Sequence, residues 1–185
     1  MALRHEATLN LARLIKRDVD ASSEVAEAGE LTPTEAALEA GGLRLAGPLT
    51  WQLTVRAMAN EDEMLVTGSV RGTAVQECRR CLVDVQSELE GDIMFAMRYR
   101  PGPKELALIE TEDDEHLTFG RPEVDFAMLL TQMFALKLPL TALCKPGCLG
   151  LTLDGVNLNE HPEAAASARQ PASGSPFAAL KNLKL

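Results

Sequence analysis

The sequence predicts an α+β domain: an antiparallel β-meander, one buried helix packed on it, and short helices at the ends. Two observations carry that expectation. The stretches 43–57, 64–75 and 82–100 alternate apolar and polar residues with a period of two. The stretch 125–138, DFAMLLTQMFALKL, is apolar almost all round, as suits a helix laid on a sheet.

Taken in order, residues 8–18 place Leu11, Leu14 and Ile15 at helical spacing, opposite Arg13, Lys16 and Arg17. That pattern predicts a short amphipathic helix. Residues 18–42 are rich in Ala, Glu and Ser and end in Gly41-Gly42, so they read as a connector with a helical turn beginning at Thr32-Pro33. In 43–57, Leu43, Leu45, Leu49, Trp51, Leu53 and Val55 share one face, with Pro48 marking a break or an edge. Asn60-Glu61-Asp62-Glu63 reads as a turn. Met64, Val66, Val70 and Ala74 form the next apolar face, and Gly68 and Gly72 suggest bends or bulges. Val83, Val85, Leu89, Ile93, Phe95, Met97 and Tyr99 form the third, with Asp84, Glu88, Glu90 and Asp92 on the wet side. Residues 101–122 read as a loop bounded by Pro101-Gly102-Pro103 and Arg121-Pro122, with the acidic run Glu112-Asp113-Asp114-Glu115 inside. Asp125 is the candidate N-cap of the buried helix and Pro139 its end.

The expected organisation is an N-terminal amphipathic segment and connector, 1–42, then a core domain, 43–155, then a linker with a short C-terminal helix, 156–185. Ala164–Ala168 and Pro171–Ser175 have linker composition, and Phe177, Leu180 and Leu183 recur at helical spacing beyond them.

The chain has 185 residues and a net charge of −9, so a protein that binds nucleic acid by bulk positive charge is excluded. The excess is local: residues 84–125 carry 4 basic and 12 acidic groups, net −8. No apolar run approaches the ~18 residues of a membrane-spanning helix. The N-terminus lacks an h-region, so the expected location is the cytoplasm, with no membrane partner.

Four cysteines fall into two close pairs, Cys78-Arg79-Arg80-Cys81 and Cys144-Lys145-Pro146-Gly147-Cys148. Thiolate pairs on tight turns suit tetrahedral zinc, and Arg79, Arg80 and Lys145 would offset the charge of a tetrathiolate. Structural zinc through Cys78, Cys81, Cys144 and Cys148 is therefore one reading. Plain buried thiols are another. A redox-active pair is a third, although such a pair normally opens a helix in a βαβ unit, and this one joins two strands. His5, His116 and His161 belong to no partnered motif, and no GxSxG, HExxH or P-loop pattern occurs. Apart from that cysteine pair no catalytic constellation stands out, and no small-molecule substrate is expected.

Several landmarks follow in a definite order. Val75-Gln76-Glu77-Cys78-Arg79-Arg80-Cys81-Leu82 comes first, then Val124-Asp125-Phe126, Leu138-Pro139-Leu140 and Leu143-Cys144. Cys148-Leu149-Gly150-Leu151, Asn157-Leu158-Asn159-Glu160 and Pro176-Phe177-Ala178-Ala179-Leu180-Lys181 complete the series. In this order, over roughly 65–185, the chain resembles the YceD family, the large ribosomal RNA subunit accumulation proteins. The resemblance implies a non-enzymatic bacterial factor supporting accumulation of large-subunit (23S) rRNA. Many members carry a further CxxCG knuckle after the counterpart of Gly150-Leu151; here Thr152-Leu153-Asp154-Gly155 stands there, so that distal knuckle is not carried over.

Two modes of action are open to such a factor. It could contact large-subunit rRNA, or its precursor, through Arg79, Arg80, Lys137, Lys145, Lys181 and Lys184. It could instead hold a basic ribosomal protein through the acidic wet face and Glu112, Asp113, Asp114 and Glu115.

Overall fold

A computed structural model describes residues 6–15, 23–58, 62–102, 107–111 and 114–165, with 107–111 and 114–116 described as backbone. The element order is β1 (Thr8–Asn10), β2 (Glu24–Leu31), α1 (Glu35–Ala40), β3 (Leu49–Ala57) and β4 (Glu63–Glu77). It continues with β5 (Asp84–Tyr99), β6 (Ala107–Thr111), β7 (Asp114–Phe119), β8 (Glu123–Asp125) and α2 (Ala127–Ala135). The chain forms two compact units: Met1–Gln76 with Gln86–Leu140, and Glu77–Val85 with Thr141–Leu185.

The first unit is the expected α+β class. Its six-stranded sheet has the order β2-β3-β4-β5-β7-β6. The period-two stretches became β3, β4 and β5, and their apolar parity points inward: Leu49, Trp51, Leu53, Val55, Met64, Val66, Val70, Ala74, Ile93 and Met97 are all buried. Leu45 lies ahead of β3 and bridges to Ala74. The break expected at Pro48 thus falls just before the strand.

Three local expectations are corrected. Residues 8–10 form a strand, not a helix, pairing antiparallel with β8 at Leu9↔Val124. The physical reason is that Leu9 and Leu11 alternate as well as recur, and long-range pairing buries both fully. The connector 18–42 contains a full strand: β2 pairs antiparallel with β3 from Glu24↔Arg56 to Leu31↔Leu49. Glu27 interrupts the inward parity of Val25, Gly29 and Leu31 and so hides the alternation, while on the outward face Arg56 closes on Glu24 at 2.7 Å.

The third correction concerns the expected loop 101–122, where β6 and β7 form an antiparallel hairpin. β7 joins the sheet parallel to β5 through Met97↔Leu117 and Tyr99↔Phe119, so the meander is not purely antiparallel. Phe119 is the anchor: it is 1% exposed, and its ring lies 5.4 Å from that of Tyr99. Packing against β5 outweighs the turn-like composition of the segment.

The helices are short. Thr34 caps α1 by accepting from the Ala37 N–H at 3.3 Å. α2, expected as a buried helix packed on the sheet, is buried on one face only: it buries Leu130, Thr131 and Phe134 and leaves Met128 65% exposed. Thr131 is tolerated inside because its hydroxyl donates to the Ala127 carbonyl at 2.8 Å. Gly72 makes the seat on β4, since a Cβ there would collide with Leu49 and press on the Phe134 ring at 3.4 Å. Asp125 lies just before the assigned cap, Phe126, and its Oδ1 accepts from the Ala127 N–H at 2.8 Å.

Candidate metal centre

The second unit is built on two turns. The first, 78–83, links β4 to β5: Leu82 N–H donates to the Cys78 carbonyl at 2.9 Å, and Cys78 N–H donates to Val83 at 2.8 Å. Leu82 sits at φ 59°, a left-handed conformation uncommon for a branched residue. The second turn, 144–148, closes with Cys148 N–H on the Lys145 carbonyl at 3.1 Å. Gly150 then turns left-handed at φ 82°, and its missing Cβ would stand 3.1 Å from the Arg80 carbonyl. Glycine is required there on both counts.

These turns bring together all four cysteines. Their Sγ atoms lie within 4.8 Å of one another. Cys78 and Cys148 are 3.8 Å apart and Cys81 and Cys144 are 3.6 Å apart. A tetrahedron with metal–sulfur bonds of about 2.3 Å has edges of about 3.8 Å. The separations are far beyond a disulfide's ~2.05 Å, and all four are free thiols. Cys78, Cys81 and Cys148 are buried with Val85, Leu143 and Leu151 packed against them, whereas Cys144 is exposed. The donor set and spacing fit a soft divalent metal, and the four cysteines could hold one.

Electrostatics divide the thiols. The Cys144 backbone N–H, foremost, with those of Arg80 and Cys81, draws the Cys78 thiol down to about 6 against the opposing effect of burial. Burial, foremost, and hydrogen bonding among the neighbouring thiols push Cys144 up to about 12. At Cys148 burial acts upward but is outweighed by the Asn159 side chain and the Gly150 N–H, and the thiol is lowered. At Cys81 the Val83 N–H acts downward but is outweighed by burial and by the Cys78 and Cys148 thiols, and the thiol is raised. Four thiolates cannot share so small a volume without a cation, so protons remain on some of them.

The charged side chains named from the sequence have different fates. Arg79, Arg80 and Lys145 are exposed on the two turns. Arg80 also has a structural task, donating to the Cys148 carbonyl at 2.9 Å. Lys137 belongs to the first unit, where its stem would lie 3.2 Å from a Cβ at Gly91. Lys181, Lys184, Glu112 and Asp113 lie outside the described residues. Asp114 and Glu115 are in β7, opposite Thr111 and Glu110. The CxxC pair occupies a strand-to-strand turn, not a helix start, so the geometry associated with redox-active pairs does not occur at it.

Sequence reasoning missed one neighbour of the sulfurs, Asn159. Its Nδ2 donates to Cys148 Sγ at 3.3 Å, and its Oδ1 accepts from the Leu149 N–H at 3.0 Å. The segment Asn157-Leu158-Asn159-Glu160 stood among the landmarks of the resemblance, but Asn159 lies 11 positions beyond Cys148 and nothing in the sequence joins it to the sulfur.

A family model described as large ribosomal RNA subunit accumulation protein YceD matches residues 66–184, which include both turns. An uncharacterized protein of Mycobacterium bovis and one of Mycobacterium tuberculosis are each 30% identical over 111 residues, covering 60% of this chain and 52% of theirs. An uncharacterized protein of Mycobacterium leprae is 26% identical over 113 residues, 60% of this chain and 50% of its own. The chain thus spans about half the length of these curated relatives. No solved structure matches it. Among the described residues no helix is long and apolar enough to cross a membrane.

Proposed function

The chain belongs to the YceD family, and from that premise we propose that it is a non-enzymatic ribosome-biogenesis factor supporting accumulation of large-subunit rRNA. The family match over residues 66–184 carries this reading. In this proposal the second unit is a zinc knuckle. Zinc at Cys78, Cys81, Cys144 and Cys148 would tie the two turns together. It would also cut the thiolate charge to a formal −2, which Arg79, Arg80 and Lys145 together offset, so that the exposed heads of Arg79 and Lys145 can meet RNA phosphate. The overall negative charge then matters less than this local patch. The expected site of action is the cytoplasm.

Removal of the protein from its own cells tests the reading. The expected result is a lowered ratio of large- to small-subunit rRNA, restored by the intact chain and not by a chain with all four cysteines changed to serine. An unchanged ratio on removal would overturn the proposal.

A second reading is favoured by one specific observation. Asp84, Glu88, Glu90 and Asp92 are all exposed, on alternate positions of β5. Such a row suits a basic ribosomal protein as partner. In this version the factor escorts that protein, and rRNA accumulates as a consequence. Charge reversal along the row should abolish a salt-sensitive protein complex; a complex that survives it excludes this version.

A further inference from the structure

We propose that Asn159 is a positioning residue of the metal centre: it orients Cys148 and disperses charge from its sulfur. The inference rests on the zinc reading above and adds a residue to it.

The geometry leaves the Asn159 carboxamide one role. Its Oδ1 accepts the Leu149 N–H at 3.0 Å. Its Nδ2 donates to Cys148 Sγ at 3.3 Å and to Asn157 Oδ1 at 2.9 Å. Turning the group over would set an NH₂ against the Leu149 N–H and an oxygen against the sulfur, losing all three bonds at once. The carboxamide is therefore locked, with an N–H aimed at a ligand atom. Its support is layered. The Asn159 N–H donates to Asn157 Oδ1 at 3.0 Å, and Asn157 Nδ2 donates to Glu160 Oε1 at 3.0 Å. Leu158 N–H donates to the Gly150 carbonyl at 2.9 Å, and Leu151 bridges to Asn157. Residues 157–160 thus clasp the turn that carries Cys148.

The chemistry follows from charge. Four thiolates around a divalent cation carry a formal −2, and sulfur is a weak acceptor unless ionised. An N–H held against one of them stabilises the thiolate and fixes the direction of its lone pairs. Outer-shell partners of this kind orient metal ligands and tune the metal. An oxygen in place of that N–H would do the reverse.

Cobalt(II) titration of the full chain tests this, followed by zinc competition against a chelator. The intact protein should give the intense spectrum of a tetrahedral four-thiolate site. Failure at that step would overturn the zinc reading, and this inference with it. Given that spectrum, Asn159→Asp should weaken zinc by about 10- to 100-fold. It should also move the sulfur-to-cobalt band to longer wavelength. Asn159→Ala should move affinity and band the same way by less. Glu160→Ala, which removes an outer support of the clasp and leaves every bond of the Asn159 carboxamide in place, should leave the band where it is. Wild-type affinity and an unshifted band in both Asn159 variants would overturn the assignment while leaving the zinc reading intact. A shift as large in Glu160→Ala would reduce Asn159 to a fold role and overturn it as well.

Discussion

Cys78 Sγ and Cys148 Sγ stand 3.8 Å apart although 70 positions separate them in the chain. Local structure explains each pair, Cys78 with Cys81 and Cys144 with Cys148. Only the folded second unit explains why the pairs meet. That meeting is most simply tested by its dependence on metal.

Zinc content should be one ion per chain and should vanish with Cys78→Ser or Cys148→Ser, read by elemental analysis after dialysis. Structural zinc is worth about 10–16 kcal/mol in small knuckles near neutral pH. Chelation should therefore expose residues 141–165 to protease while the six-stranded sheet keeps its circular-dichroism signal. Continued protection of that segment after chelation would contradict a structural metal.

The metal-free thiols should titrate apart. The Cys78 pKa, about 6 against the ordinary 9.0, is depressed by folding. Its contribution to stability is therefore present above pH 9 and lost as pH falls toward 6. The Cys144 pKa, about 12, is raised, so its contribution is present below pH 9 and lost as pH rises through 12. Thiolate absorbance should rise in separated steps, two thiols below the ordinary value and two above. A single step for all four near 9.0 would refute the division. Zinc affinity should fall as pH falls, because each ligand must lose its proton.

Phe134→Ala should destabilise the first unit by about 3–5 kcal/mol, since the side chain is fully buried between α2 and β4. Chemical denaturation reads this directly. A loss below about 1 kcal/mol would mean that α2 packs on the sheet less firmly than its burial indicates.

Arg79→Glu with Lys145→Glu should weaken rRNA association by at least tenfold and leave zinc content unchanged. Arg80→Glu is a different experiment, because Arg80 donates to the Cys148 carbonyl at 2.9 Å and its loss also disturbs the turn. Full rRNA association by the double Arg79/Lys145 variant would remove these residues from the interface.

The sequence made the centre of the fold legible where burial is one-sided and periodic. Trp51, Val66 and Ile93 sit on alternating strands whose parity is decided locally. It was silent where pairing is long-range. Leu9 reads equally well on a helix or a strand until Val124 is placed beside it. Leu117 and Phe119 lie beyond the acidic run 112–115, so their strand emerges only through its parallel neighbour Met97–Tyr99. At the candidate centre the four cysteines were visible as two spaced pairs. Asn159 was not, because a carboxamide acquires its role only from the atoms that surround it.

A mild, tagged purification from growing cells, quantified before and after nuclease, tests the central claim most directly. The account predicts that large-subunit rRNA or its precursor co-purifies, that nuclease releases the associated ribosomal proteins, and that the four-cysteine variant recovers neither. A ribosomal protein still bound after nuclease, with recovery independent of the cysteines, would contradict it and favour the acidic face of β5 instead.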